Sequence, residues 1–191
     1  MARPGSTPSA RRTELLDGAY AYALSHGLSD LSLRPLAHAI GSSPRVLLYL
    51  FGSKDGLIRA LLARARLDEL ALIDSFDPGR EGQPDRLAAV ATEVWTWLAA
   101  GERRPLLTLW LEGYVRSLAD QDGPWRDFAH ATVVDWMALL ASAQGPASMA
   151  PSAKTERTVV LAVLRGGLMD LLATGETDRV TRAVLTAVGQ V

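Results

Sequence analysis

The sequence predicts an all-α protein, with a three-helix helix-turn-helix head at the N-terminus and a larger helical body, about nine helices in all. Three observations predict this fold class. Apolar residues recur at intervals of three and four along most of the chain. Glycine and proline interrupt that pattern where one helix would end and the next begin. The sequence shows no strand alternation of useful length, no internal repeat and no coiled-coil heptad run.

The head begins with a predicted helix over residues 9–26, which Gly27 ends. Residues 1–8 before it are rich in Pro, Gly, Ser and Thr, and we expect them to be mobile. Ser32 is placed to cap a first short helix, and Gly41 can end it by taking a positive φ. The apolar residues of this short helix share one face: Leu33, Leu36, Ala37 and Ile40.

A second short helix follows, with Ser43 as its cap and Pro44 in its first position, where a missing N–H is harmless. Arg45 and Tyr49 are four residues apart and share a face. Gly52 can end this helix. Its buried side is predicted to consist of Leu47, Leu48 and Phe51. Two short helices joined by a glycine-containing turn form a helix-turn-helix, in which the second helix enters the DNA major groove.

A longer helix, capped by Ser53, is predicted from Lys54 to about residue 74. The body then contains five further predicted helices, over residues 85–100, 105–119, 125–143, 154–173 and 178–190. Proline and glycine content predicts loops over residues 76–84 and 145–153.

Charge is distributed unevenly along the chain. The net charge is −1, but residues 1–66 carry nine Arg or Lys against four acidic residues, a net +5. The remainder carries 11 basic and 17 acidic residues, a net −6. A basic head on an acidic body directs one end of the protein towards phosphate; chance clustering on solvated faces is the alternative.

The segments SLRPLAHAIGSS and LYLFGSKDGL, with the lead-in helix and its glycine stop, resemble the TetR family of transcriptional regulators over roughly the first quarter of the chain. The resemblance implies an all-helical dimer that binds palindromic operators through residues 1–53. Residues 54–191 would form the domain that binds a small-molecule effector and dimerises. The family usually has a Tyr, and then a Tyr or His, just before the Phe of the second short helix. Leu48 and Leu50 hold those places here, with Tyr49 between them.

Six residues of the motif are candidates for DNA contact: Arg34, Ser43, Pro44, Arg45, Tyr49 and Lys54. Arg45 is best placed for a bidentate contact with guanine, which is worth about 1–3 kcal/mol of discrimination. Ser43 and Lys54 suit phosphates, and free amides at a helix N-terminus help Lys54. Three arginines nearer the N-terminus could follow the DNA backbone or enter the minor groove: Arg3, Arg11 and Arg12. The alternative for each arginine is a solvated surface charge.

All five tryptophans lie beyond residue 90. Such rings usually form a core, but a helical ligand pocket would be built from the same side chains. The candidate lining residues are Trp95, Leu98, Trp110, Tyr114, Phe128, Val133, Trp136 and Met137. Three further residues could supply polar contacts: Glu112, Arg116 and His130. Core packing is the alternative for each apolar residue.

The last two helices carry few charges and are predicted to form a dimer interface, a four-helix bundle built from two helices of each protomer, as the resemblance implies. Its candidate residues are Val159, Val163, Gly166, Gly167, Val180, Val184 and Val188. Packing within one subunit is the alternative. A two-fold dimer would place two recognition helices one DNA turn apart, about 34–36 Å.

Little in the sequence supports an enzyme, a membrane protein or a metal site. Its three histidines lack metal-ligand spacing, cysteine is absent, and no nucleophile elbow, P-loop or dinucleotide fingerprint occurs. No apolar run approaches the roughly 20 residues that span a bilayer, and no apolar core follows the charged N-terminus. We expect no cofactor and a cytoplasmic location.

These observations favour a homodimeric, ligand-responsive repressor that binds a palindromic operator. A small-molecule-binding protein of the same fold, with weak or lost operator specificity, is the alternative that Leu48 and Leu50 motivate. A helical oligomerisation module without a ligand is a third hypothesis.

Overall fold

The computed structural model describes residues 8–28, 31–75, 86–120 and 122–190. Within these residues the chain forms nine α-helices and no strand, which confirms the predicted all-α class. The helices are α1 (Pro8–His26), α2 (Leu33–Ala39), α3 (Pro44–Phe51), α4 (Lys54–Ser75), α5 (Arg86–Leu98), α6 (Arg104–Ala119), α7 (Phe128–Gln144), α8 (Pro151–Thr174) and α9 (Thr177–Val188). Short 3-10 turns, Gly101–Arg103 and Gly145–Met149, precede α6 and α8.

The chain divides into two compact units. The first comprises the described parts of Met1–Asp68 and Thr108–Ala129, and the second those of Glu69–Leu107 and His130–Val191. Helices α4, α6 and α7 therefore contribute residues to both units. The division after residue 53 stays a prediction from the sequence.

The first unit contains the helix-turn-helix, in which α2 packs on both α1 and α3. Its short helices end where glycine permits a left-handed backbone: φ is +77° at Gly27, +63° at Gly41 and +79° at Gly52. One face of each helix is buried, as the intervals of three and four predict. The core residues of α1 to α4 are Leu15, Ala19, Tyr20, Ala23, Leu36, Ala37, Leu47, Phe51, Leu57, Ile58, Leu61, Leu62 and Ala65.

In the second unit, α5, α8 and α9 pack against one another. The α9 valines lie four residues apart and so form one buried stripe: Val180, Val184 and Val188. Gly167 of α8 allows close approach, because a Cβ there would lie 2.5 Å from a methyl carbon of Val184 and 3.1 Å from the Trp95 ring. The three helices therefore pack closely around Gly167.

Two predicted boundaries in the body are wrong. Residues 145–153 are not a loop, because a 3-10 turn leads directly into α8, with Pro151 in the first turn where proline is tolerated. Arg157 Nη1 donates to the backbone oxygen of Ser148 over 2.8 Å and so attaches this turn to α8. Helix α7 begins at Phe128 rather than 125, because Asp127 has a φ of +66°, which no α-helix can include. The predicted loop over 76–84 lies outside the described residues.

None of the described helices combines the length and the apolar character that crossing a membrane would require.

Candidate nucleic-acid interface

Helix α3 is fixed at both ends by local interactions. The extended backbone at Ser43 places its Oγ to accept a hydrogen bond from the Val46 N–H over 3.3 Å, and Pro44 follows. Ser53 Oγ accepts from the Gly56 N–H over 2.9 Å at the start of α4. Of the three predicted serine caps, those at Ser43 and Ser53 are confirmed. Ser32 occupies the cap position of α2, but its side chain makes no cap hydrogen bond.

The exposed surface of α3 differs from the predicted one. Leu47 and Phe51 are buried, as expected, but Leu48 is 41% exposed and does not belong to the buried side. The reason is geometric, because one residue turns a helix by about 100°, so Leu48 points away from the stripe that Leu47 and Phe51 share. Leu48 instead lies one turn after Arg45.

The guanidinium of Arg12 packs on Phe51, the last residue of α3. Its central carbon lies 4.9 Å from the centroid of the Phe51 ring, a cation–π contact between α1 and α3. Arg11 forms an ion pair with Glu14 at 2.7 Å. Both arginines had DNA contact as their predicted role, and in the structure both make contacts within the protein. Arg3 lies outside the described residues.

The six candidates for DNA contact lie on three consecutive helices. Arg34 is exposed in the first turn of α2, and Lys54 is exposed as the first residue of α4. Arg45 is exposed near the start of α3, and Tyr49 one turn later is 85% exposed. Ser43 and Pro44 are half-buried because they form the cap. All four exposed side chains are therefore accessible to a ligand, and their contact with DNA stays a prediction.

Glu112 of α6 anchors the segment that follows α1. The Leu28 N–H donates to Glu112 Oε2 over 2.7 Å. A Cβ at Gly27 would lie 2.9 Å from Glu112 Oε1, so a side chain there would have to displace this carboxylate. The prediction gave Glu112 a polar contact in a ligand pocket, and the sequence carried no signal for its contact with the backbone between α1 and α2.

A second polar cluster joins α1 to α4. The Tyr20 hydroxyl donates to Asp68 Oδ2 over 2.9 Å, and Arg64 forms an ion pair with the same carboxylate. Arg64 also lies 3.6 Å from Asp17 and 5.1 Å from the centroid of the Tyr20 ring. Burial raises the pKa of the Tyr20 phenol above its ordinary value of 10.0, and the hydrogen bond to Asp68 raises that pKa further.

The predicted pocket residues lie on α5, α6 and α7. Five of them are buried, namely Trp95, Leu98, Trp110, Phe128 and Trp136, and three are half-buried, namely Tyr114, Val133 and Met137. Two of these rings have identified packing partners within the chain. The Trp95 indole N–H donates to Thr181 Oγ1 over 3.1 Å, and Phe128 packs on Gly113. For these two residues, core packing is the role that the structure identifies.

The predicted dimer residues separate into two groups. The three α9 valines are buried within the chain, and Gly167 contacts Val184 and Trp95, so packing inside one subunit accounts for these four. Val159 and Gly166 of α8 are exposed, and Val163 is half-buried. Five small or apolar exposed residues in the C-terminal two-thirds of α8 recur at intervals of three and four: Val159, Ala162, Gly166, Met169 and Ala173. We call these five residues the α8 stripe.

The chain shares sequence with one class of bacterial regulator. It is 32% identical over 123 residues to the HTH-type transcriptional regulator BetI of Brucella anthropi. The match covers 64% of this chain, and the chain spans 61% of the length of that relative. No protein-family model matches the chain.

Solved structures match over nearly the whole chain. A transcriptional regulator from Rhodococcus sp. Rha1 has a TM-score of 0.74 at 19% identity, with 97% of this chain and 95% of that one covered. A TetR-family regulator from Cytophaga hutchinsonii has a TM-score of 0.76 at 13% identity, covering 98% of both chains. The multidrug binding protein EbrR complexed with imidazole has a TM-score of 0.70 at 21% identity, covering 98% and 97%.

The fold and the capped α2–α3 pair define a helix-turn-helix protein with an all-helical body. The chain shares its fold with TetR-family regulators of known structure, which agrees with the resemblance seen in its sequence.

Proposed function

We propose that this protein is a transcriptional regulator that binds a palindromic operator as a homodimer and responds to a small molecule. The observation that carries the proposal is the surface of α3. This helix is capped, it packs on α2, and it presents Arg45 and Tyr49 to solvent. An exposed recognition helix with an arginine in its first turn is the device by which helix-turn-helix proteins contact base edges.

Contact with phosphates would come from residues on either side of α3. Arg34 and Lys54 are exposed on α2 and α4, the helices that precede and follow α3. Phosphate contacts position a protein on DNA without reading sequence, whereas Arg45 would read it. A regulator of this kind acts where the chromosome lies, so the cytoplasmic location is part of the proposal.

The α8 stripe supports the homodimer. It is a continuous row of small and apolar residues on a helix whose other side already packs on α5 and α9. A second copy related by two-fold symmetry would cover the stripe with the same stripe, which is an isologous contact. A Cβ at Gly166 would meet no atom of the described residues within 4 Å, so this position leaves room for a helix of the partner.

Two observations support a small-molecule effector: the aromatic side chains of α5, α6 and α7, and the ligands of one structural neighbour. Helices α5, α6 and α7 carry four of the five tryptophans, and Tyr114, Val133 and Met137 among the predicted lining residues are half-buried. EbrR, which shares the fold, is a multidrug binding protein that was solved with imidazole and with proflavin. An effector that prefers one of two conformations of the dimer would change operator affinity by its differential binding energy, about 1–3 kcal/mol.

The test is DNA selection followed by titration. Full-length protein is used to select duplexes from a randomised library, and the recovered sequence is expected to be a palindrome. Arg45→Ala should weaken binding to that duplex by about 5- to 150-fold, equivalent to 1–3 kcal/mol. Arg126→Ala, which removes another exposed arginine, should leave affinity unchanged. Affinity should also fall steeply as salt is raised.

The alternative is a ligand-binding protein of this fold that has lost operator specificity. The replacement of the usual aromatic residue by Leu48, which is exposed on α3, favours it. In that case the selection would return no consensus, and Arg45→Ala would not change DNA affinity.

A further inference from the structure

The recognition surface of α3 is unusually apolar. Val46 is 37% exposed and Leu48 is 41% exposed, beside the 85% exposed Tyr49. Each of these two aliphatic side chains therefore keeps more than a third of its surface exposed among the described residues. Both residues follow Arg45 along α3, and the 100° turn per residue places Val46 on one side of Arg45 around the helix and Leu48, one helical turn later, on the other. A contact between Arg45 and a base would not by itself account for exposed aliphatic side chains beside it.

The charges around this patch identify the chemistry of its partner. Helix α3 contains no acidic residue, and exposed cations stand on all three consecutive helices, at Arg34, Arg45 and Lys54. Asp55 beside Lys54 is the exposed acidic residue in the first turn of α4, so the cations are in excess, and an anionic partner that also presents apolar groups would complement this surface. The DNA major groove meets both requirements, because its walls are phosphates and its floor carries the C5-methyl group of each thymine.

We propose that Val46 and Leu48 read thymine methyl groups in the operator, next to the base pair that Arg45 reads. This inference rests on the proposed function and adds a chemical rule for the sequence of each half-site. The thymine methyl is the apolar group that base edges expose in the major groove, and it marks thymine as distinct from the other three bases. Leucine and valine can bury it, whereas they cannot satisfy the hydrogen-bonding groups of a base edge.

The experiment removes single methyl groups from the DNA. The duplex recovered by selection with the full-length protein is resynthesised with deoxyuridine in place of thymidine, one position at a time. Deoxyuridine keeps the Watson–Crick edge and O4 and lacks the methyl group. At one or two positions in each half-site, affinity should fall about fourfold, the worth of one buried methyl group.

Variants of the protein then assign the effect to a residue. Leu48→Ala should weaken binding to the thymidine duplex and should reduce the thymidine-to-deoxyuridine ratio to about one at a single position per half-site. Val46→Ala should do the same at a different position. Leu67→Ala, which shortens an equally large exposed leucine on α4, is the matched control and should leave every ratio unchanged. Circular dichroism checks the fold, which surface truncations should not disturb.

The outcomes separate the inference from the function on which it rests. If Arg45→Ala abolishes selective binding but deoxyuridine has no effect at any position, DNA binding holds and the methyl inference is overturned. The inference also fails if the deoxyuridine effect survives unchanged in both alanine variants, since the methyl groups would then act through DNA shape. If the selection recovers no duplex, the proposed function itself is wrong, and the inference fails with it.

Discussion

At the scale of single residues, two adjacent glycines of α8 have opposite environments. A Cβ on Gly166 would meet nothing within 4 Å among the described residues, whereas a Cβ on Gly167 would lie 2.5 Å from Val184 Cγ2. Neither of the two has a positive φ. Gly167 is therefore required for packing, and Gly166 is open to contact from outside the chain.

Substitution of Gly167 should consequently destabilise the body. Alanine removes the helix cost of glycine, about 1 kcal/mol, but over-packs the contact with α9 at a cost of about 1–3 kcal/mol. We expect Gly167→Ala to lower the free energy of unfolding by about 1 kcal/mol, measured by urea denaturation. The same change in a Val184→Ala background should cost less, because the nearest atom is gone. Equal costs in both backgrounds would show that Val184 is not the obstacle.

Tyr20 gives a prediction for the dependence of stability on pH. Its pKa is raised in the folded state, so the phenol stays protonated there after it has begun to ionise in the unfolded chain. This contribution to stability is complete below the ordinary pKa of 10.0 and is lost as the pH rises towards the folded pKa. The Asp68 hydrogen bond is the second cause of the shift.

Tyr20→Phe should therefore cost about 1.5 kcal/mol near neutral pH, the worth of a hydrogen bond to a charged group. Its deficit should shrink when denaturation is repeated at about pH 11, because the wild-type protein alone loses stability from this phenol. A deficit that is constant with pH would contradict the raised pKa of the Tyr20 phenol in the folded protein.

At the scale of helices and turns, the Glu112 carboxylate fixes the chain where it leaves α1. Glu112→Ala would leave the N–H of the buried Leu28 without this acceptor, at a cost of about 1–3 kcal/mol. Glu112→Gln keeps an acceptor oxygen and should cost less than half as much. Urea denaturation of the two variants measures the difference. Equal losses would indicate that the negative charge matters, and not the hydrogen bond to Leu28.

The same scale shows what a sequence can and cannot predict. The ends of α1, α2 and α3 were predictable, because the conformational freedom of Gly27, Gly41 and Gly52 and the cap of Ser43 act within a few residues. The start of α8 was not, because proline occurs in loops as well as in the first turn of a helix. Contacts between Arg157, Gln144 and Ser148 hold that segment.

Residues of the candidate site divide in the same way. The exposure of Arg45 and Tyr49 follows from the apolar stripe of α3, so spacing alone predicted it. Leu48 was misassigned because its hydrophobicity outweighed its angular position, which a helical projection would have shown. The roles of Glu112 and Arg12 depend on partners 84 and 39 positions away along the chain, and local sequence carries no trace of them.

At the scale of the whole molecule, the proposed dimer depends on the α8 stripe. Met169 is 56% exposed within it, and Leu67 on α4 is 60% exposed outside it. A carboxylate at Met169 would be buried against its own copy in a two-fold contact, where like charges repel. A carboxylate at Leu67 would stay in water.

In sedimentation experiments, the wild-type protein and Leu67→Glu should therefore have the mass of a dimer. At the same concentration, Met169→Glu should have the mass of a monomer. The one-chain variant should also lose most of its affinity for a palindromic duplex, because it engages one half-site at a time. A one-chain mass for the wild-type protein at working concentrations would contradict the dimer. If Met169→Glu remained a dimer, the interface would have to lie elsewhere on the protein.

The position after α1 has a consequence for how this chain can change over evolution. Two independent restrictions act on Gly27: the left-handed backbone, which disfavours any side chain, and the carboxylate oxygens that a side chain would strike. A shorter side chain at position 112 would remove the contact with the carboxylate but would leave the positive φ at Gly27 unchanged. Alanine at position 27 would therefore stay strained whatever residue occupies position 112. Among proteins descended from this sequence, we expect Gly27 to be retained more often than Glu112. Substitutions at the two positions should not be correlated.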